Sequence, residues 1–176
     1  MSLLIKNIKK LIQCRTEKTS FVSGKDMSFV PSIDDAYLFI KNGKIKDFGK
    51  MQELKEINID QVIDAKDRMV LPSWCDSHTH IVFSGNRSKE FIDRIKGLSY
   101  EEIAARGGGI LNSAKLLQNT SKEDLYNQSK MRINSVIRQG TGAIEIKSGY
   151  GLSFESELKM LQVIKQIKDS SKMQVK

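Results

Sequence analysis

Cysteine, proline, tryptophan and histidine are all scarce in this chain, with two, two, one and two copies respectively among 176 residues. Cys14 and Cys75 lie far apart without CxxC spacing. That pattern argues against a disulfide framework and a thiolate zinc site, and it fits a reducing cytoplasm. The N-terminus has no apolar h-region, and no run approaches about 18 consecutive apolar residues, so neither export nor membrane spanning is indicated. A cytoplasmic protein without a membrane partner is expected.

Charge of one sign is in excess, with a net +8, so nucleic acid has to be weighed as a partner. The basic residues are scattered, however: Lys9, Lys10, Lys41, Lys44, Lys46, Lys165, Lys168 and Lys172 fall on strand edges and polar helix faces, without an Arg-rich arm or interleaved aromatics. A solvated basic surface without nucleic acid is the expectation. A non-catalytic binding module using that surface is the alternative from another functional class. Hydrophobic residues at 39% supply enough apolar material for a globular core.

Two architectures follow one another, with the division placed between residues 68 and 69. Over 1–68 the pattern is strand-rich: Leu3 to Ile5, Ala36 to Ile40 and Lys44 to Phe48, the last two joined by Asn42-Gly43, a tight-hairpin signal. Thr16 to Asp35 reads mainly as loop. From Met69 to the C-terminus strands alternate with helices, the grammar of a parallel α/β sheet or barrel.

In this second part Met69 to Trp74 leads into a strand, and Ser88 is expected to cap a short helix bearing Phe91, Ile92 and Ile95 on one side. Ser99-x-x-Glu102 opens a second helix that stops at Gly107-Gly108-Gly109, and Thr120-x-x-Glu123 opens a longer one ending at Gly140. Ala143 to Lys147 reads as a buried strand, Ser153 caps a helix with Leu158, Leu161, Ile164 and Ile167 along one stripe, and Met173 to Lys176 begins another strand. A (β/α)₈ barrel needs about 250 residues. The two βα units and the start of a third therefore predict an unfinished barrel belonging to a longer polypeptide.

The two histidines stand together in Asp76-Ser77-His78-Thr79-His80 at the end of a predicted strand. Residues i and i+2 of a strand share a face, so both imidazoles aim at one point, and a divalent metal, zinc or iron, is its natural occupant. A coincidental pair of surface or core histidines is the competing explanation, since HxH is a short pattern. Position favours the metal, because barrel catalysis is built at the C-terminal ends of strands. The triple glycine lacks the Gly-Lys-Ser/Thr ending of a phosphate loop and reads as a helix stop and flexible loop. Glu145 and Lys147 would share the barrel interior as a structural pair.

The stretch from Val70 to His80 resembles the first barrel strand of the amidohydrolase superfamily, in which HxH supplies two metal ligands after a small β-sandwich domain. Val82 to Ser88, Tyr100 to Ile110, Glu145 to Leu152 and Glu157 to Met160 together resemble the imidazolonepropionase family of histidine degradation. The resemblance implies a metal-dependent hydrolase that opens the ring of 4-imidazolone-5-propanoate with water to give N-formimidoyl-L-glutamate. Carried over by motif, His78 and His80 would be metal ligands, while Arg87 and Tyr150 would bind substrate. A guanidinium suits a propionate carboxylate and a phenol suits a polar ring. The spacing alone leaves Arg87 readable as a surface charge and Tyr150 as a packing residue. The same resemblance implies that further metal ligands and the catalytic acid/base lie beyond Lys176, so the chain is expected to be inactive by itself. Another cyclic amidohydrolase or deaminase of the superfamily is the alternative enzyme. A homo-oligomer stays open.

Overall fold

The computed structural model of the chain describes every residue except Thr16 and Lys18, which belong to the expected Thr16 to Asp35 loop and lie outside the description. The described residues divide into two compact units, Met1–Pro72 and Ser73–Lys176.

The first unit is a five-stranded sheet built on one long strand, β1 (Ser2–Ile12). β2 (Ser32–Lys41) pairs antiparallel with it, and β3 (Lys44–Lys50) pairs antiparallel with β2. Asn42 and Gly43 both take positive φ, 52° and 72°, as a two-residue hairpin matched to strand twist requires. The other edge of β1 is shared: its start pairs in parallel with β4 (Gln61–Asp64), and its end with β5 (Met69–Val70). A register shift between Ile5 and Ile8, with Asn7 at φ 56°, bends β1 midway. Ile8, Leu11, Ala36, Leu38 and Ala65 form the buried cluster. The loop between β1 and β2 carries a 3₁₀ turn at Gly24–Ser28.

The second unit has a three-stranded parallel sheet in the order β6 (Trp74–Thr79), β7 (Thr141–Ile146), β8 (Gln174–Val175). Its helices are α1 (Ser88–Ile95), α2 (Tyr100–Ala105), α3 (Ile110–Asn119), α4 (Lys122–Arg138) and α5 (Phe154–Ser170). β7 shows the period of a strand covered on one face. Ile144 and Ile146 are buried with Leu125 and Ile133 of α4 and Met160 of α5, while Ala143 and Glu145 turn to the other, partly exposed face.

Helix starts follow local hydrogen bonding. At α2 the expected capping box is present: Ser99 Oγ accepts from the Glu102 N–H at 3.2 Å, and Glu102 accepts from the Ser99 N–H at 2.7 Å. Ser153 caps α5 by accepting from the Ser156 N–H. Two expectations shift. Ser121, not Thr120, caps α4, because the Thr120 hydroxyl is spent on the Leu116 carbonyl at the end of α3. Ser88 opens α1 as its first residue and donates to Asn86 Oδ1 rather than capping.

The α5 stripe is also rotated. Met160, Val163, Ile164 and Ile167 are buried, whereas Leu158 and Leu161 are exposed. Apolar residues lie around most of this helix, so the pattern alone did not fix which arc faces the core. The triple glycine is both the stop of α2 and the start of α3, with Gly109 at φ 83° as its N-cap.

Candidate active site

β6 delivers His78 within the strand and His80 one residue beyond its end. The strand end is pinned to β7: Thr79 Oγ1 donates to the Glu145 carbonyl at 2.9 Å, and the Lys147 N–H donates to the Thr79 carbonyl at 2.7 Å. Just downstream Val82 is buried, and Arg132 of α4 reaches across to donate to the Ile81 carbonyl at 3.1 Å and to the Phe83 carbonyl, with its guanidinium stacked over the Phe83 ring. Burial lowers the Arg132 pKa, the direction expected of a cation drawn out of water. The backbone on both sides of His80 is thereby fixed.

The rings of His78 and His80 have centroids 5.3 Å apart with planes at 61°. Two imidazoles each placing a nitrogen about 2.1 Å from one ion at a tetrahedral angle have centroids roughly 5.2 Å apart, so the pair fits a shared cation. His80 Nδ1 is buried and has no hydrogen-bond partner among the described residues, where buried polar groups are ordinarily paired. Among the described residues no cluster of three or more His, Cys, Asp or Glu stands ready to hold a metal. Two imidazoles are fewer than the usual three protein ligands of catalytic zinc.

A cavity of about 320 Å³ lies beside this pair and is lined by His80, Phe83, Ser84, Asn86, Arg87, Ser113, Leu116 and Tyr150. Three of the four residues singled out from the sequence therefore share one pocket, while His78 packs against His80 without lining it. Its size falls in the range of small-ligand sites. Tyr150 sits against His80 edge to face, with centroids 5.0 Å apart and planes at 78°.

Arg87 is held by Glu90, a residue the sequence reading did not single out. Arg87 Nε donates to Glu90 Oε2 at 2.7 Å and Nη2 donates to the same oxygen, while Glu90 Oε1 accepts from the Gly109 N–H at 3.0 Å. The hydrogen bond to Glu90 raises the Arg87 pKa, and the bond from Arg87, aided by the Gly109 N–H, lowers that of Glu90 in spite of partial burial. Nη1 of Arg87 makes no hydrogen bond among the described residues. The available signal was the i, i+3 spacing of an Arg and a Glu at a helix start.

Glu145 and Lys147 form the expected ion pair on the face of β7 away from α4 and α5, and the hydrogen bond and charge of Lys147 lower the Glu145 pKa. Neither lines the cavity.

No protein-family model matches the chain. An imidazolonepropionase from Flavobacterium psychrophilum is 58% identical over 176 residues, which is 100% of this chain and 43% of that protein. Its namesake from Clostridium tetani is 40% identical over 174 residues, 97% of this chain and 41% of the relative. The chain spans about two-fifths of the length of these curated relatives. Among solved structures, E. coli guanine deaminase superposes with a TM-score of 0.66 at 17% identity, covering 99% of this chain and 35% of that one. Guanine deaminase from C. acetobutylicum, with guanine in its active site, gives 0.57 at 15% identity over 99% of this chain and 35% of its own. At these identities the structural likeness is one of fold.

Proposed function

We propose, from the premise that this chain is an N-terminal portion of an amidohydrolase-superfamily enzyme, that it supplies part of a site hydrolysing 4-imidazolone-5-propanoate to N-formimidoyl-L-glutamate. The superfamily is metal-dependent. Here His78 and His80 would hold one divalent ion, zinc or iron, with further ligands from sequence beyond residue 176. When bound, that ion would polarise the ring carbonyl and lower the pKa of a water molecule.

The chain's own side chains bind and orient. Arg87, with one edge neutralised and aimed by Glu90, takes the propionate carboxylate through its remaining N–H groups. Tyr150 would direct its hydroxyl at the polar ring, a role supported by its edge-to-face packing on His80. Phe83 and Leu116 give the cavity apolar walls that displace water from the substrate. The reaction adds one water across a ring C–N bond: oxygen goes to the carbonyl carbon, and a proton to the departing nitrogen.

The observation that carries this reading is the convergence of His80, Arg87 and Tyr150 on one cavity. The test is turnover by the complete polypeptide of which this chain is a portion, offered imidazolonepropanoate, dihydroorotate and guanine in parallel. Release of formimidoylglutamate alone supports the assignment; faster turnover of either other substrate transfers it to another cyclic-amide hydrolase or deaminase. Residues 1–176 alone are expected to bind metal weakly and lack turnover, since they bring only two imidazoles. The free thiols of Cys14 and Cys75 support a cytoplasmic setting.

A further inference from the structure

Tyr150 belongs to a short loop with a positive-φ residue on either side of it. Gly149 lies at φ 124° and Leu152 at φ 53°, the latter a left-handed conformation that a branched side chain rarely adopts. Gly151 is pressed against the first turn of α5: an added Cβ would stand 2.6 Å from the Glu157 nitrogen and 2.7 Å from the Ser156 carbonyl carbon. Such a loop persists only where surrounding contacts over-determine it.

Those contacts converge on one carboxylate. Glu157 Oε2 accepts from the Gly149 N–H at 2.9 Å, and Oε1 accepts from the N–H groups of Gly151 at 2.6 Å and Leu152 at 3.3 Å. These donors flank Tyr150 on both sides. Gln118 of α3 adds a hydrogen bond from Nε2 to the Gly151 carbonyl at 2.9 Å. We propose that Glu157 is a positioning residue which, by gathering the amides of Gly149, Gly151 and Leu152, holds the Tyr150 ring against His80 and over the cavity.

An acidic residue in the first turn of a helix has an ordinary role, facing solvent and complementing the helix dipole. Glu157 turns back instead and spends both oxygens on the loop. Partial burial pushes its pKa up, but the backbone donors from the loop, together with Ser148, outweigh that and leave it lowered. A carboxylate suits the position because three N–H groups aimed at one point form an anion-binding concavity.

The functional consequence rests on the reading of Tyr150 as a substrate contact, so the test separates the two. In the complete polypeptide, Glu157→Leu removes the acceptors at similar size, Glu157→Gln keeps one of them, and Tyr150→Phe removes the phenol. Amide exchange across residues 148–152 should accelerate about tenfold or more in Glu157→Leu, with Glu157→Gln intermediate. KM for imidazolonepropanoate should rise about tenfold while kcat stays within about threefold. In the Tyr150→Phe background the same change should add little, because both act through one hydroxyl. Unchanged exchange in either folded variant overturns the clamp, as do losses that add fully to those of Tyr150→Phe. If Glu157→Leu fails to fold, Glu157→Gln decides alone, and wild-type exchange and KM there refute the proposal. Accelerated exchange with a kinetically silent Tyr150→Phe upholds the clamp and removes Tyr150 from the substrate contacts.

Discussion

Replacing Arg132 should unfasten the segment that carries His80. Its guanidinium donates to the carbonyls of Ile81 and Phe83 and stacks on the Phe83 ring with its central carbon 3.8 Å from the ring centre. Hydrogen bonds from a charged donor contribute about 1.5–3 kcal/mol each, and a cation over an aromatic face about 0.5–2 kcal/mol. Against this stands the cost of half-burying a cation, several kcal/mol for a fully desolvated ion and less here. Arg132→Met keeps the apolar stem but strands two part-buried carbonyls, so a net loss of about 3 kcal/mol is expected. The single tryptophan of the chain, Trp74, lies on β6, and its emission during urea titration therefore reports on the second unit. With a slope of about 1.5 kcal/mol per molar urea, the midpoint should fall by about 2 M. A fall of less than about 0.5 M, with the slope unchanged, would show that Arg132 does not fasten this segment.

Three further outcomes follow from the same structure. Met160→Ala empties a fully buried position of the second core and should destabilise that unit by about 2–5 kcal/mol in the same titration. Arg87→Lys keeps the charge but loses the fork, and in the complete polypeptide it should raise KM for imidazolonepropanoate about 10- to 100-fold with a smaller change in kcat. The third outcome concerns acid. Glu90 has a depressed pKa when folded, so its contribution is fully present above the ordinary glutamate value of about 4.3 and is lost as pH falls through the lower folded value. Below that ordinary value wild type should lose stability more steeply than Glu90→Gln, and parallel curves would count against the Arg87–Glu90 pair.

The sequence was most informative where one residue type has one local use. Asn42-Gly43 marks a hairpin because both residues tolerate positive φ, and Ser99 with Glu102 marks a helix start because each satisfies the other's backbone. His78 and His80 were legible as a pair through the two-residue period of a strand. It was least informative where a role depends on a distant partner. Nothing local in α4 announces that Arg132 serves carbonyls some fifty positions earlier, nor in α5 that Glu157 turns back to the Tyr150 loop. α3 stayed hidden because its N-cap is Gly109, which offers no side-chain acceptor and closes a run that reads as loop. β4 is four exposed residues whose strand character comes from pairing with β1 rather than from its own pattern.

The proposed chemistry requires His78 and His80 to share one ion. Elemental analysis of the complete polypeptide, purified as wild type, His78→Ala and His80→Ala, tests it most directly. About one zinc or iron per wild-type chain is expected, with most of it lost in each single variant. Wild-type metal content in either variant would show that the two imidazoles do not hold a common cation.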